Sequence, residues 1–188
     1  MKRLTGLLLG IVLVVGMAGL ASAQSDSITL KVSCVVGLSV AIDKTEYNFG
    51  DVAPRTATIS TEAIVVNNDS GGRTEDYTIY SSTYTAAWNL MDSDPGDSDE
   101  DLFSLRAMFK STQPIETDFP AGSFLDTDTG TDQDMTETDF GTAGYSGDDV
   151  PADEARNIWF RLKTPGTTTT EAEQSLSVTI TANTSGSF

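Results

Sequence analysis

Two stretches of the chain carry carboxylates at spacings that suit metal chemistry. Asp92, Asp94, Asp97, Asp99 and Asp101 gather around Gly96, and Asp126, Asp128, Asp132 and Asp134 gather around Gly130. Oxygen ligands at near-alternate positions about a glycine suit Ca²⁺, which takes about 6–8 oxygens in a flexible shell. Neither stretch follows the EF-hand, because in both the glycine falls at the fifth position instead of the sixth. The plain alternative is a solvated acidic loop that keeps the chain soluble. A carboxylate pair can also hydrolyse a glycosidic bond, given rigid placement in a cleft. These aspartates sit among Thr, Ser and Gly, with little to desolvate them. Histidine is absent altogether, which removes Ser-His and Cys-His nucleophile pairs and every His-ligated metal site. The chain is read as non-catalytic, with Ca²⁺ the one cofactor its residues suit.

A second group of residues could act by contact. Leu102–Lys110 and Asn157–Lys163 each alternate apolar and polar positions. Phe103, Leu105, Ala107 and Phe109 share one face of the first, and Ile158, Phe160 and Leu162 one face of the second. The opposite rows then present Arg106 and Lys110, and Trp159, Arg161 and Lys163, to the outside. Lys and Arg number only 11 against 28 Asp and Glu, for a formal net charge of −17. A basic outer face with acidic loops elsewhere would be complementary between copies of the same protein. An acidic loop folding back over the basic strands within one copy would satisfy the same charges. Exposed rings at Tyr80, Tyr84, Trp88 and Trp159 could bind sugar faces; packing of Trp88 in a sandwich core, and of Trp159 against its strand neighbours, is the plainer reading. The acidic balance argues against nucleic acid and against anionic membranes as partners.

The elements that must position these groups are strands. Residues 1–23 have Lys2 and Arg3, an apolar run from Leu7 to Val15 and an Ala21-Ser22-Ala23 end, the pattern of a signal peptide cut before Gln24. The mature chain is expected to be exported (secreted, periplasmic or on the cell surface), without membrane insertion after processing. Residues 24–188 suffice for one domain, with an acidic Thr/Asp/Gly-rich insertion around 111–153 that should hold one or two short edge strands. From Ile28 to Ile42 every even position is apolar, including Ile28, Leu30, Val32 and Cys34. A strand of that length would span about 50 Å, several times the usual extent. It either bends at Gly37 and changes sheets, or its first half leaves the domain and pairs with a neighbour. Cys34 lies on the apolar row, which suits a buried thiol better than an intermolecular bridge. Thr56–Asn67 places Ile59, Ala63 and Val65 on one side, with Ile64 and Val66 requiring two-sided burial or a bulge. Asn67–Gly72 is a turn, Asp76–Ser81 and Trp88–Met91 are strands, and Ser175–Ala182 buries Leu176, Val178, Ile180 and Ala182. No segment carries a helical stripe. Many short alternating strands with Gly, Pro and Asx turns read as a two-sheet antiparallel sandwich.

The run YNFGDVAP, then TISTEAIVVNNDSGG, then EDYTIY resembles the immunoglobulin-like domains of the ASH/Hydin type over Tyr47–Ser81. It departs from that pattern at Pro54-Arg55. The segment from Arg156 to Ala182 resembles the ends of exported bacterial β-sandwich proteins. The resemblance implies an immunoglobulin-like sandwich and a binding or packing module, and it brings no catalytic residue. The expected function is a structural or adhesion-type protein acting through association with protein partners, itself included, as in a surface layer or filament. The alternative is a calcium-dependent carbohydrate-binding module. Candidate metal ligands are the nine aspartates named above; candidate association residues are Ile28, Leu30, Val32, Arg106, Lys110, Trp159, Arg161 and Lys163.

Overall fold

In the computed structural model, which describes residues 37–82, 85–125 and 132–187, the two strongly alternating segments form the middle of the larger sheet. They are β6 (Leu102–Phe109) and β8 (Ala155–Lys163), antiparallel from Ser104 opposite Lys163 to Phe109 opposite Ile158. The inward row of β6 is as the alternation demands, with Phe103, Leu105, Ala107 and Phe109 all buried. On β8, Ile158 and Phe160 join the same core and Leu162 packs against it.

The far edge of β8 receives two pieces of one run, β2 (Ala57–Ile59) and β3 (Ile64–Asn68). Ile59 lies opposite Arg161 and Ile64 opposite Ile158, so five steps on one strand meet three on the other. This interruption is a bulge, one of the two arrangements that the adjoining apolar residues allowed. Ser60 spans it, donating its N–H to Phe160 O at 2.8 Å while its Oγ accepts from Phe160 N at 3.2 Å. It also resets the facing. Ile64 and Val66 face the core, while Ile59 and Val65, expected on one side with Ala63, lie opposite the outward-row residues Arg161 and Asn157.

Outside β3 runs β1 (Val40–Ile42), and outside β6 runs β5 (Asn89–Met91), giving the order β1-β3-β8-β6-β5. The β5–β6 pair is parallel, unlike the fully antiparallel sheets expected. The facing sheet has the order β7-β4-β9, from β7 (Gln133–Asp134), β4 (Glu75–Ser81) and β9 (Val178–Thr184), all antiparallel. The chain is thus an all-β protein of two sheets packed face to face. Tyr77 and Ile79 of β4 close the core from this side, with Val178, Ile180 and Ala182 of β9 half-buried against it.

The 111–153 segment supplies further core residues, Leu125, Met135, Phe140 and Val150. It holds β7 and a bridge of Phe124 to Arg106, the short edge pairings expected of it, and also a 3-10 turn at Glu116–Asp118 and one α-helical turn, α1 (Glu137–Phe140), capped by the Thr136 side chain. Gly147 sits where a Cβ would lie 2.7 Å from Met135 Cβ and 3.1 Å from Tyr77 Cβ, so only glycine lets this segment close on the core.

Of the 28–42 run, Val40 packs on the core, whereas Leu38 and Ile42 are 42% and 45% exposed, contrary to the buried row expected. Ile42 faces the same way as its partner Val66, but it stands at the margin of the sheet, where a strand is flanked on one side only. Residues 1–36, with the proposed leader, Ile28, Leu30, Val32 and Cys34, lie outside the described residues.

Candidate functional site

The basic outer row of β6 and β8 is where association was expected, and the fold uses it internally. Arg161 is 2% exposed. Its Nη1 and Nη2 donate to Asp94 Oδ1 and Oδ2 at 2.8 and 2.9 Å, and Nη2 also reaches Glu116 Oε1 at 2.6 Å. Asp94 accepts in addition from Ser104 Oγ at 2.8 Å. Burial raises the Asp94 carboxyl, but the hydrogen bonds from Arg161 and Ser104 and the guanidinium charge outweigh it, so its pKa lies below the usual aspartate value. Arg106, directly opposite Arg161, donates to Ser123 Oγ and Phe119 O at 3.0 Å each and to Pro120 O, with its guanidinium 4.4 Å from the Phe124 ring. Its pKa is lowered, first by burial and then by the charge of Arg161.

The other members of the row are engaged as well. Lys110 pairs with Asp118 at 2.5 Å, and Lys163 Nζ donates to Arg55 O at 2.7 Å. Trp159 is 7% exposed and its Nε1 donates to Lys110 O at 2.8 Å, so it presents no ring to solvent. Ser104 and Met108, two further outward positions of β6, are fully buried. The expected open basic face is therefore replaced by a covered one. The acidic 92–101 loop and the 115–125 segment fold over the row, which is the intrachain pairing the charge pattern also allowed.

That cover accounts for the first acidic loop. Asp94 belongs to Arg161. Asp99 Oδ2 accepts from Gly96 N at 2.7 Å, Asp101 Oδ1 accepts from Thr168 Oγ1 and Thr169 N at 2.9 Å each, and Asp97 lies 3.9 Å from Arg55. Among the described residues, Asp92, Asp94, Asp97, Asp99 and Asp101 do not converge as a group of three. In the second loop Asp126 and Asp128 lie outside the described residues, Asp132 accepts from Thr78 Oγ1 at 3.4 Å, and Asp134 belongs to β7.

Carboxylates do converge elsewhere, at Asp76, Asp148 and Asp149, whose ligand atoms lie within 4.8 Å of one another. Asp76 is fully buried, and its two oxygens accept from Asp149 N and Ser187 N at 2.9 Å each. Burial, followed by the charges of Asp76 and Asp149, raises the Asp148 pKa. Such a set has the donor chemistry of a hard-cation site, yet the backbone N–H groups already offset part of its charge. Sequence reasoning passed it over because β4 and the 148–149 segment are joined only by folding. The Asp148-Asp149 doublet was the sole hint.

Of the aromatic candidates, Trp88 is half-buried, packs 6.1 Å from Phe103 and donates Nε1 to Thr168 Oγ1 at 3.0 Å. Tyr80 is half-buried, and Tyr84 lies outside the described residues.

The surface that is left open is an edge. β9 pairs with β4 at every position from Val178–Ser81 to Thr184–Glu75, and among the described residues no strand pairs with its other side. The edges of the larger sheet, β1 and β5, are three residues each. β9 has seven, with no charge, no proline and no bulge, the devices that usually guard an edge. Its core-facing residues Val178, Ile180 and Ala182 are only half-buried, and it lies beside β1 with the exposed Leu38 and Ile42. Compared with models of known protein families and with curated proteins, the chain matches none.

Proposed function

We propose that this is a non-catalytic, exported structural or adhesion-type protein that works by associating with copies of itself, in the manner of a surface-layer or filament subunit. The observation that carries the reading is the long unguarded β9 edge. On the side that no described strand pairs, its N–H and C=O groups form a ready template for an incoming strand, with alternate side-chain positions to set the register. The alternating Ile28–Val36 run is the sequence-level candidate for that strand. The likeness of Tyr47–Ser81 to ASH/Hydin-type modules points the same way, since those bind or pack. A calcium-dependent carbohydrate module has weaker support, because the Asp92–Asp101 carboxylates serve the fold and the described candidate rings are buried or half-buried.

The test is assembly. The protein should form multimers visible by light scattering and negative-stain microscopy. Replacing the exposed Thr179 and Thr181 by lysine should leave the fold intact and yield monomers. Wild-type protein that stays monomeric at high concentration, or a double-lysine variant that assembles unchanged, would refute association through β9.

A further inference from the structure

We propose that Glu75, Tyr77 and Arg156 enclose a site for an internal water molecule that joins the two sheets. Glu75 and Tyr77 occupy alternate positions of β4 and share its inner side; both are fully buried. That side faces the larger sheet, because the Tyr77 ring lies 6.4 Å from Phe109 of β6. Arg156 stands on β8 opposite Val66, which is in the core, and directly paired residues point to one face. Arg156 is accordingly only 5% exposed, on the face that carries the core. The Tyr77 phenol has a raised pKa, chiefly from burial, with the Glu75 charge adding and the Arg156 charge opposing. The three groups thus act on one space from two sheets.

One polar atom of each is without a hydrogen-bond partner from the protein: Glu75 Oε2, Tyr77 Oη and Arg156 Nε. Glu75 and Arg156 are each held by another of their polar atoms. Glu75 Oε1 accepts from Ser39 N at 2.7 Å, and Arg156 Nη1 pairs with Glu154 while the guanidinium lies 4.9 Å from the Tyr145 ring. Native interiors leave few such atoms unpaired, and three together at the end of one core call for a shared partner. The chemistry of the set selects that partner. Arg156 Nε only donates, Glu75 Oε2 accepts, and the neutral phenol does either. A water molecule accepts from the guanidinium, donates to the carboxylate and bonds the phenol, which fits the 2–4 polar contacts of a buried water. A cation would meet the arginine and an anion the glutamate. The one other such atom among the described residues, Arg161 Nε, belongs to the outer-face network and has no comparable set around it.

The site is tested on protein purified from its native host by atomic-resolution crystallography and by ¹⁷O magnetic relaxation dispersion. A density peak within hydrogen-bond reach of all three atoms, together with a long-lived water that is lost in the near-isosteric Tyr77→Phe variant, is the expected result. A direct Tyr77–Glu75 or Arg156–Glu75 bond in wild-type density would overturn it. So would a dispersion signal identical in wild type and a folded Tyr77→Phe. Should that variant fail to fold, the wild-type density decides alone.

Discussion

Removing one carboxylate from the outer face should cost more than removing the arginine it serves. Arg161 has a side chain 3% exposed, against 39% for Asp94 and 62% for Glu116. In Asp94→Asn the guanidinium stays buried with Glu116 as its remaining charged partner. Breaking a buried pair from one side costs about 3–5 kcal/mol, because a charge is left uncompensated. Glu116 softens this, as does the partial exposure of Asp94, so the expected loss is about 2–3 kcal/mol. In Arg161→Met the buried charge is gone, a linear apolar chain fills much of its volume, and Asp94 turns to water and Ser104. That loss should be about 1 kcal/mol, within the range for replacing a buried ion by an apolar group. The pH dependence separates this from a simple packing defect. The folded Asp94 pKa is depressed, so its stabilisation is complete above the ordinary aspartate value and is lost as pH falls through the folded value. The penalty of Asp94→Asn should therefore shrink towards zero in acid. Urea unfolding followed by tryptophan fluorescence from neutral pH to about pH 2 measures both effects. An Arg161→Met loss equal to or above that of Asp94→Asn, or an Asp94→Asn penalty constant in pH, would refute the reasoning.

Two further outcomes follow from single positions. Asp148→Asn should raise the melting temperature at neutral pH and leave it unchanged near pH 3. The raised Asp148 pKa means that stability falls as pH climbs from the unfolded to the folded value; a variant no more stable at neutral pH would show that the three carboxylates do not strain one another. Gly147→Ala should destabilise by about 1–3 kcal/mol, the cost of overpacking, since its Cβ would meet Met135 and Tyr77 on both sides. A melting curve like that of wild type would mean that the segment yields freely.

The inner rows were legible because a period of two, once begun at Phe103 or Ile158, needs no other information. The outer rows were not. Nothing within RNIWFRLK tells that Asp94, sixty-seven positions away, will cap Arg161, or that the 115–125 segment will cover Trp159's face. A residue called outward by its own strand is exposed only if no later segment lies over it. The Thr56–Asn67 run failed differently. Adjoining Ile64 and Val66 left two-sided burial or a bulge open without choosing between them or giving the bulge a place, and an interruption at Ser60–Ala63 decides which row turns inward. The grouping of Asp76 with Asp148 and Asp149 could not be read because their nearness is made by β4 and a loop folded against it, not by spacing.

The place of β8 in the larger sheet also sets an order of events. β2, β3 and β6 all pair with it and none of them with one another. A chain that ended before Ala155 could form only three separate strand pairs, β1 with β3, β5 with β6 and β4 with β7. Everything that joins β1–β3, β2 and β5–β6 into one sheet arrives with the nine residues of β8, so those earlier strands must wait for a distant partner. Folding should be slow for this size, as it is wherever pairings are non-local, and it should begin only once that late strand is present.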